Sequence, residues 1–368
     1  MWHFQRAMVS AAVLFLISSS IACSSSNSTK LQGSGASFPA PLYTKWFKEY
    51  SAAHPGVRVD YQSTGSGAGV KAMIDKTVDF GASDVAMSKE EIAQVEAGVQ
   101  LLPMTAGAIV LGYNIPNVDH LKLSREAYVG IFLGKITKWN DLAIASTNDG
   151  VKLPATDINV VVRADSSGTS AVFTKHLSAI DKDFAKSPGS NKMPNWPVGT
   201  KSKGNEGIAD SLNTTPGSIG YVEYGFAVAA DVKFKMALLE NKNGKYVAPS
   251  IASGQAALAS LEMPEDLVAW LPDPAGDEAY PIVTYTWVLA YKKYADPKKA
   301  QALKDVLTYC LTDGQKQSES LGYIPLPDVV VKKVKAALSN INPGEAPAKT
   351  DGKSASAKPM SDKEKFAG

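Results

Sequence analysis

The sequence is poor in cysteine and histidine, with 2 cysteines and 4 histidines among 368 residues. Only Cys310 lies in the body of the chain, which excludes an internal disulfide there, and its apolar surroundings (VLTYCL) are typical of a small buried residue. The histidines are scattered: His3, His54, His120 and His176. No metal-ligand spacing results, and we expect neither a bound metal nor another cofactor.

The chain also lacks an excess of charge of either sign, since 38 Lys and Arg residues face 36 Asp and Glu residues. No basic stripe interleaved with aromatic residues is present, which argues against nucleic acid as the main partner. A small anion held by neutral donors and one arginine needs no basic overall balance. With 45% apolar and 20% charged residues, the chain is long enough for two globular domains with sizeable cores.

Long hydrophobic runs are missing except near the N-terminus, where Ala7–Ile17 is apolar but too short to span a bilayer. This run predicts an export signal over residues 1–22. Cys23 resembles the lipobox cysteine of bacterial lipoproteins, and acylation there would anchor the protein in the periplasm or on the outer cell surface. The alternative is ordinary cleavage after the small-x-small sequence Ser20–Ala22, which would release a free protein. The serine-rich residues 23–30 predict a flexible tether.

Strand-like runs alternate with helical segments, which predicts an α/β fold. The strand candidates are Val57–Gln62, Val78–Ala82, Ala108–Asn114, Ile158–Arg163, Ile219–Phe226 and Pro281–Tyr291. The helix candidates are Pro39–Tyr50, Pro297–Thr312, Asp313–Leu321 and Asp328–Ile341. Leu42, Trp46 and Tyr50 fall on one face of the first helix and are predicted to pack in the core. Residues 343–368 are rich in Pro, Ala, Lys and Ser, which predicts a disordered tail.

Three glycine-rich stretches with small hydroxyl residues stand where helices are predicted to begin: Gly33–Pro39, Ser63–Gly69 and Arg163–Ser170. A helix N-terminus presents unpaired backbone N–H groups and a partial positive charge, so it is a natural seat for an oxyanion. Ligands of α/β sheets bind beyond the carboxyl ends of strands, where such loops lie. Together with Asp84, which follows a strand-like run, the stretches predict a buried site for a tetrahedral anion.

Each of these features also has a purely structural interpretation. Glycine and serine clusters are most often plain loops, and Ser66 and Thr169 are good helix N-caps. Arg163 beside Asp165 is compatible with a surface ion pair that contributes little to stability. The combination of features favours the anion site over these alternatives.

The three stretches belong to a series of segments that resembles the phosphate-binding proteins of the bacterial Pst-type ABC transporter. The similar segments are GASFPAPLY (35–43), VDFGASD (78–84), GKITKWND (134–141), VVVRADSSGTS (160–170), KGNEGIA (203–209), IGYVEY (219–224) and YIPLPD (323–328). The resemblance covers about residues 31–341. It implies a monomer that binds inorganic phosphate and delivers it to membrane permease subunits driven by an ATPase.

The resemblance also implies the fold, a type II periplasmic binding fold in which two α/β lobes are hinged around a cleft. The first lobe is expected to comprise residues 31–104 and 282–342, and the second lobe residues 105–281. The chain is expected to cross between the lobes near Pro103–Gly107 and Asp277–Thr284.

Phosphate contacts carry over by the same resemblance to residues that match the family's motifs. They are Ser37, Phe38 through its backbone N–H, Ser66, Asp84, Arg163, Ser167, Gly168 and Thr169. Asp165 is then expected to hold the guanidinium of Arg163. The family often has Thr where this chain has Ser37, and the hydroxyl needed for the contact is kept.

Asp84 favours phosphate over other oxyanions. Phosphate keeps at least one proton near neutral pH, and an ionised Asp84 can accept a hydrogen bond from it. Sulfate carries no such proton and would face an unpaired carboxylate in a desolvated site, a mismatch that discriminates by several powers of ten.

Three alternatives remain beside a phosphate receptor. A secreted phosphatase or phosphotransferase needs a nucleophile, a metal pair or a P-loop. The sequence has no G-x-x-x-x-G-K-[ST] motif, and Ser66 between two glycines is not a G-x-S-x-G elbow, so we expect no enzyme. A receptor for sulfate or molybdate on the same fold is disfavoured by Asp84. For a surface adhesin or sensor, the sequence offers no supporting feature other than the tail after Pro343.

Overall fold

The structure is a computed structural model that describes residues 28–343. Four predictions lie outside the described residues: the signal peptide (1–22), acylation of Cys23, the tether over 23–27 and the tail over 344–368. The inner ends of two of these segments are corrected. Thr29 and Lys30 belong to the first strand rather than to a tether, because they pair with the neighbouring strand, and Pro343 pairs with Tyr294 rather than opening the tail.

The strands of residues 28–343 are numbered in chain order. They are β1 (Thr29–Gly35), β2 (Val57–Ser63), β3 (Phe80–Ser83), β4 (Val99–Asn114), β5 (Lys122–Leu123), β6 (Asn159–Arg163), β7 (Thr200–Ser202), β8 (Ser218–Glu223), β9 (Lys235–Met236), β10 (Leu238–Glu240), β11 (Tyr246–Val247), β12 (Val283–Tyr291), β13 (Lys293–Tyr294) and β14 (Asn342–Pro343).

The helices of the same residues are numbered likewise. They are α1 (Ala40–Ala53), α2 (Ser66–Ile74), α3 (Lys89–Ala93), α4 (Arg125–Phe132), α5 (Leu142–Ala145), α6 (Gly168–Ile180), α7 (Lys182–Lys186), α8 (Gly204–Thr214), α9 (Tyr224–Ala227), α10 (Ile251–Leu258), α11 (Pro297–Cys310) and α12 (Asp328–Ala337), with 3-10 turns at Gln315–Gln317, Glu319–Leu321 and Leu338–Asn340. None of the helices of residues 28–343 is both long and apolar enough to cross a membrane.

One nine-stranded sheet organises the molecule, with the order β2-β1-β3-β12-β4-β8-β6-β7 and with β9 added beside β4. β1, β2 and β3 run parallel to one another, as do β6, β7 and β8. The long strand β4 connects these two groups, because it pairs with β12 as far as Ala108 and with β8 from Ile109 onward. This change of partner lies beside the predicted crossing at Pro103–Gly107. The lobe boundaries themselves stay a prediction.

The predicted strands and all but one of the predicted helices are found, with differences at their ends. Leu42, Trp46 and Tyr50 are buried as predicted, and so is Cys310. The predicted strand Ala108–Asn114 begins earlier, at Val99, because the chain before Ala108 stays extended along β12. The predicted strand Ile219–Phe226 ends at Glu223, where α9 begins. The predicted helix Asp313–Leu321 is two 3-10 turns, which Gly322 ends in a left-handed conformation with φ 85°.

Candidate functional site

The first two glycine-rich stretches meet at the end of β3. The N–H of Ala36 donates to the carbonyl of Ala82 at 3.0 Å, and the N–H groups of Thr64 and Gly65 both donate to the carbonyl of Gly35 at 2.8 Å. Gly35 has φ 147°, and a Cβ there would lie 2.1 Å from the carbonyl oxygen of Ala82. Only glycine allows this approach, which brings the carboxyl ends of β1, β2 and β3 together.

The third stretch packs against the other two. The N–H of Gly67 donates to the carbonyl of Ser166 at 2.9 Å. A Cβ on Gly168 would lie 2.3 Å from Ser66 Oγ and 2.7 Å from Asp84 Oδ2. The absence of a side chain at Gly168 therefore lets the N-terminus of α6 approach Ser66 and Asp84.

Arg163 at the end of β6 is the cation of this cluster. Its Nε and Nη2 donate to the two carboxylate oxygens of Asp165 at 2.8 and 2.6 Å. Its Nη1 donates to Thr169 Oγ1 at 3.2 Å, and Nη2 also donates to Ser37 Oγ at 3.1 Å. The Arg163 side chain is only 1% exposed, so the pair with Asp165 is not the surface ion pair that was considered as an alternative.

Asp165 stays ionised beside Arg163. Burial by itself raises the pKa of Asp165, but the hydrogen bonds and the charge of Arg163 outweigh burial. A further hydrogen bond from the backbone N–H of Gly204, at 3.0 Å, acts in the same direction, and the net effect is a lowered pKa. The charge-assisted bidentate pair fixes the guanidinium in one orientation.

Asp84 is a buried carboxyl whose protonation changes near neutral pH. Its Oδ1 accepts a hydrogen bond from Thr286 Oγ1 at 2.8 Å, and its Oδ2 lies 3.4 Å from Ser66 Oγ. Burial raises the pKa of Asp84 to about 7, although the Thr286 hydrogen bond and the positive charge of Arg163 act to lower it. The group is therefore able to accept a hydrogen bond from a protonated ligand near pH 7.

Some backbone N–H donors near the helix N-termini of this cluster are unpaired within the described residues. Within residues 28–343, the backbone N–H groups of Phe38, Gly168 and Thr169 form no hydrogen bond. Ser167 is the N-cap of α6, and its Oγ accepts from the N–H of Ser170 at 3.0 Å. The interpretation of Thr169 as an N-cap is thus wrong, and so is that of Ser66, because Gly65 occupies the N-cap of α2 and Ser66 follows it.

The structure brings all the sequence-predicted residues into one buried cluster. Apart from glycine, none of the predicted contact residues is more than 4% exposed. The members are Ser37, Phe38, Ser66, Asp84, Arg163, Ser167, Gly168 and Thr169, with Asp165 beside Arg163. All of them except Asp84 offer hydrogen-bond donors, and they surround one cation whose charge Asp165 already balances, so the site suits a small oxyanion held by neutral donors.

Sequence reasoning missed three residues that contact this cluster: Asn205, Tyr221 and Thr286. Asn205 Nδ2 donates to Ser37 Oγ at 2.9 Å and lies 3.3 Å from Thr169 Oγ1. The Tyr221 hydroxyl accepts from the backbone N–H of Arg163 at 3.0 Å. Asn205 and Tyr221 lie in two of the segments that resemble the family, KGNEGIA and IGYVEY, so a signal was present for both. Thr286 lies in an apolar strand run that carries no such signal.

Glu223 is a second buried carboxyl beside the cluster. A Cβ on Gly107 would lie 2.9 Å from the ring of Phe38 and 3.1 Å from Glu223 Oε1, so the carboxyl group lies close to the site. Neither of its oxygens has a well-aligned hydrogen-bond partner among residues 28–343, although the backbone N–H groups of Gly225 and Phe226 lie near enough to lower its pKa. Burial outweighs them and raises the pKa of Glu223 well above its usual range, which favours the neutral form beside an anion.

Comparison with known proteins finds similar sequences and similar structures. The family model of the PBP superfamily domain matches residues 22–313. The phosphate-binding protein PstS of Xylella fastidiosa is 37% identical over 313 residues, which cover 84% of this chain and 85% of that protein. The phosphate-binding protein PstS of Pasteurella multocida is 38% identical over 334 residues, covering 89% and 95%. A phosphate-binding protein from Stenotrophomonas maltophilia, whose structure is solved, shares 23% identity with a TM-score of 0.65 over 84% of this chain and 93% of that one. This structural likeness confirms the predicted α/β periplasmic binding fold.

Proposed function

The chain belongs to the PstS phosphate-binding proteins of the PBP superfamily, and from this membership we propose that it binds inorganic phosphate as the substrate-binding component of a phosphate ABC transporter. Phosphate is held in the cluster around Arg163 and Asp84, with Ser37, Ser66 and Thr169 as hydroxyl donors. The backbone N–H groups of Phe38, Gly168 and Thr169, which form no hydrogen bond among residues 28–343, complete the contacts together with Ser167.

The observation that carries the proposal is a protonatable carboxyl group placed among donors. Asp84 is surrounded by groups that donate, and it is the one carboxylate of the proposed contact set. Phosphate offers oxygens for the donors and a proton for Asp84, whereas sulfate offers oxygens alone. A site with this mixture binds a protonated tetrahedral anion in preference to an unprotonated one.

The number of donors is sufficient for tight binding. Each charge-assisted hydrogen bond contributes about 1.5–3 kcal/mol net. A handful of such bonds reaches the roughly −8 kcal/mol of micromolar affinity when every oxygen of the buried anion is paired.

Contacts between the two predicted lobes support a closing motion. Ser63 Oγ donates to Glu206 Oε1 at 3.0 Å, and Lys192 Nζ lies 3.0 Å from Glu91 Oε1. These pairs join residues 31–104 to residues 105–281, and a ligand held by Ser37 and Arg163 would add to them. We propose that phosphate stabilises the closed state because only that state satisfies all its oxygens.

The closed, loaded protein delivers phosphate to the permease subunits, which an ATPase drives. We propose that it acts as a monomer, that it binds without converting its ligand, and that acylated Cys23 anchors it in the periplasm or on the outer surface. Mass measurement of the mature protein distinguishes acylation at Cys23 from ordinary cleavage.

Calorimetric titration of the ligand-stripped mature protein tests the proposal. We expect tight one-to-one binding of phosphate and a weak response to sulfate. Equal binding of both anions would contradict the assigned role of Asp84 while leaving the fold intact. Binding of neither anion would reject the proposed function and favour the enzyme or adhesin alternatives.

A further inference from the structure

We infer that Asn205 is a positioning residue of the phosphate site: it turns the hydroxyl protons of Ser37 and Thr169 toward the ligand without contacting the ligand itself. This inference rests on the proposed function. Asn205 is fully buried at the start of α8, where its side chain lies between a residue of the first predicted lobe and a residue of the second.

The orientation of the Asn205 amide is set by its backbone neighbour. Asn205 Oδ1 accepts from the backbone N–H of Glu223 at 3.0 Å. A backbone N–H can only donate, so the oxygen of the amide must face it and the NH₂ group must face the other way. Both amide hydrogens are then directed to the hydroxyl oxygens of Ser37, at 2.9 Å, and Thr169, at 3.3 Å. No amide hydrogen is left for a ligand.

Neighbouring donors occupy the lone pairs of the Ser37 and Thr169 hydroxyl oxygens. Ser37 Oγ accepts from Arg163 Nη2 at 3.1 Å and from the backbone N–H and the Nδ2 of Asn205 at 3.1 and 2.9 Å. Thr169 Oγ1 accepts from Arg163 Nη1 at 3.2 Å and from Asn205 Nδ2 at 3.3 Å. A hydroxyl oxygen has two lone pairs and one hydrogen, so both oxygens are saturated as acceptors. At Ser37, Arg163 Nη2 and the backbone N–H of Asn205 already suffice, and Asn205 Nδ2 is a third, shared donor. At Thr169, saturation depends on Asn205 Nδ2.

Each hydroxyl group can therefore only donate to whatever else enters the site. Within residues 28–343 neither the Ser37 nor the Thr169 hydroxyl donates to an acceptor, so both hydrogens are available to an oxyanion. Arg163 alone would leave one lone pair of Thr169 free, and the hydroxyl could then rotate. Asn205 removes that freedom and so prepares the donors before the ligand arrives.

A double-mutant cycle tests the inference by phosphate titration of the full mature protein. In the parent, Asn205→Ala is expected to weaken phosphate binding about tenfold, because the backbone N–H of residue 205 and Arg163 still saturate Ser37 and only the Thr169 hydroxyl is released. In a background that carries Ser37→Ala and Thr169→Val, the hydroxyl protons are gone, and the same change is expected to cost less than about twofold. An equal loss in both backgrounds would overturn the inference, because a merely structural role does not depend on the hydroxyl groups.

Two further variants guard against an effect on folding. Asn205→Asp keeps the shape of the side chain but accepts the two hydroxyl protons, so it is expected to weaken binding more than Asn205→Ala; a milder loss would contradict the inference. Asn148→Ala is the matched control, since Asn148 is also buried and its Nδ2 donates to the carbonyls of Lys122 and Ile144, away from the site and from both predicted crossings. It is expected to lower the melting temperature and leave phosphate affinity unchanged. If the parent itself does not bind phosphate, the proposed function is rejected. If the parent binds phosphate but Asn205→Ala costs the same affinity in both backgrounds, this inference alone is rejected.

Discussion

Thr286 on β12 donates a hydrogen bond from its Oγ1 to Oδ1 of Asp84 at 2.8 Å, although 202 positions separate the two residues in sequence. β12 pairs with β3, and the register sets Trp287 opposite Ser83, the residue before Asp84. The antiparallel pairing of two buried strands thus places a hydroxyl donor on the carboxyl group that distinguishes the site. The contact fixes one oxygen of Asp84 and leaves the other toward Ser66 and α6.

Replacement of Thr286 by valine removes this donor and keeps the shape of the side chain. Because the hydrogen bond lowers the pKa of Asp84, its loss is expected to raise that pKa and to leave Oδ1 without a partner. We expect Thr286→Val to weaken phosphate binding about tenfold near neutral pH, as measured by calorimetry. Thr284→Val is the matched control, since the Thr284 hydroxyl donates to the carbonyl of Tyr285 instead. Equal affinities in the two variants would contradict the role of Thr286.

Asp84→Asn tests the selectivity of the site. The amide offers N–H donors in place of a carboxylate, so sulfate no longer meets an unpaired negative charge. We expect the ratio of phosphate affinity to sulfate affinity to fall by at least about tenfold. Asp79→Asn serves as the control, because Asp79 accepts from Lys299 and from the backbone N–H of Gln32 outside the contact set. An unchanged ratio in Asp84→Asn would reject the selectivity argument.

The pKa of Asp84 predicts how sulfate binding depends on pH. Burial raises this pKa to about 7, so the carboxyl is mostly ionised at about pH 8 and mostly protonated at about pH 6. Only the protonated form can donate to sulfate, and the apparent affinity follows its population. We expect sulfate affinity to rise about tenfold between these two pH values in the parent and to stay flat in Asp84→Asn. A parallel rise in both proteins would assign the pH dependence to another group.

The parts of the site that could be predicted from sequence lie on continuous segments. Glycine-rich turns before helices mark the backbone donors, and Arg163 and Asp165 stand within one of these turns. The resemblance to a family then assigned the contacts of residues such as Ser66. The role of Thr286 could not be predicted, because its neighbours in sequence are apolar and because strand pairing brings it to its partner, Asp84. Asn205 lies in a segment that resembles the family, but its hydrogen bonds depend on where α8 packs.

The fold shows the same division between local and long-range information. α1 and α11 follow from helical spacing of apolar residues and from the prolines near their starts. β1 was missed because TKLQGSG has a single apolar side chain, and it becomes a strand through pairing with β2 on one side and β3 on the other. The early start of β4 likewise depends on β12, which follows much later in the chain.

Arg163→Lys tests whether the site needs a planar cation or only a positive charge. Lysine cannot serve Asp165, Ser37 and Thr169 at once, since an ammonium group lacks the fixed fork of the guanidinium. We expect phosphate affinity to fall by more than about a hundredfold, because Asp165 is left partly unpaired near the anion. Arg125→Lys is the control, because Arg125 forms a similar bidentate pair with Asp273 at 3.0 and 2.9 Å in contact with neither Asp84 nor Arg163. It is expected to change stability and not affinity, and an equal loss of affinity in both variants would show that the effect is general.

Gly168→Ala tests whether the closed site depends on the close approach of α6. The new Cβ would lie 2.3 Å from Ser66 Oγ and 2.8 Å from Asp84 Cβ, closer than non-bonded atoms permit. The serine hydroxyl can rotate, but Asp84 Cβ is attached to the backbone, so α6 must move away from Asp84. The donors at Gly168 and Thr169 would then no longer reach an anion that Asp84 and Ser66 hold. We expect a loss of phosphate affinity of at least about a hundredfold, because misplacement by about 1 Å weakens several hydrogen bonds together.

The matched control is Gly207→Ala in α8, where the nearest atom to the new Cβ lies at 3.5 Å, an ordinary contact. This change is expected to leave phosphate affinity unchanged and to stabilise the helix by about 0.5–1 kcal/mol. Solution scattering separates a blocked closure from a simple loss of folding, since Gly168→Ala should keep the parent's ligand-free radius of gyration when phosphate is added. Closure of Gly168→Ala with parent-like affinity would mean that the approach of α6 to Asp84 is not required for binding.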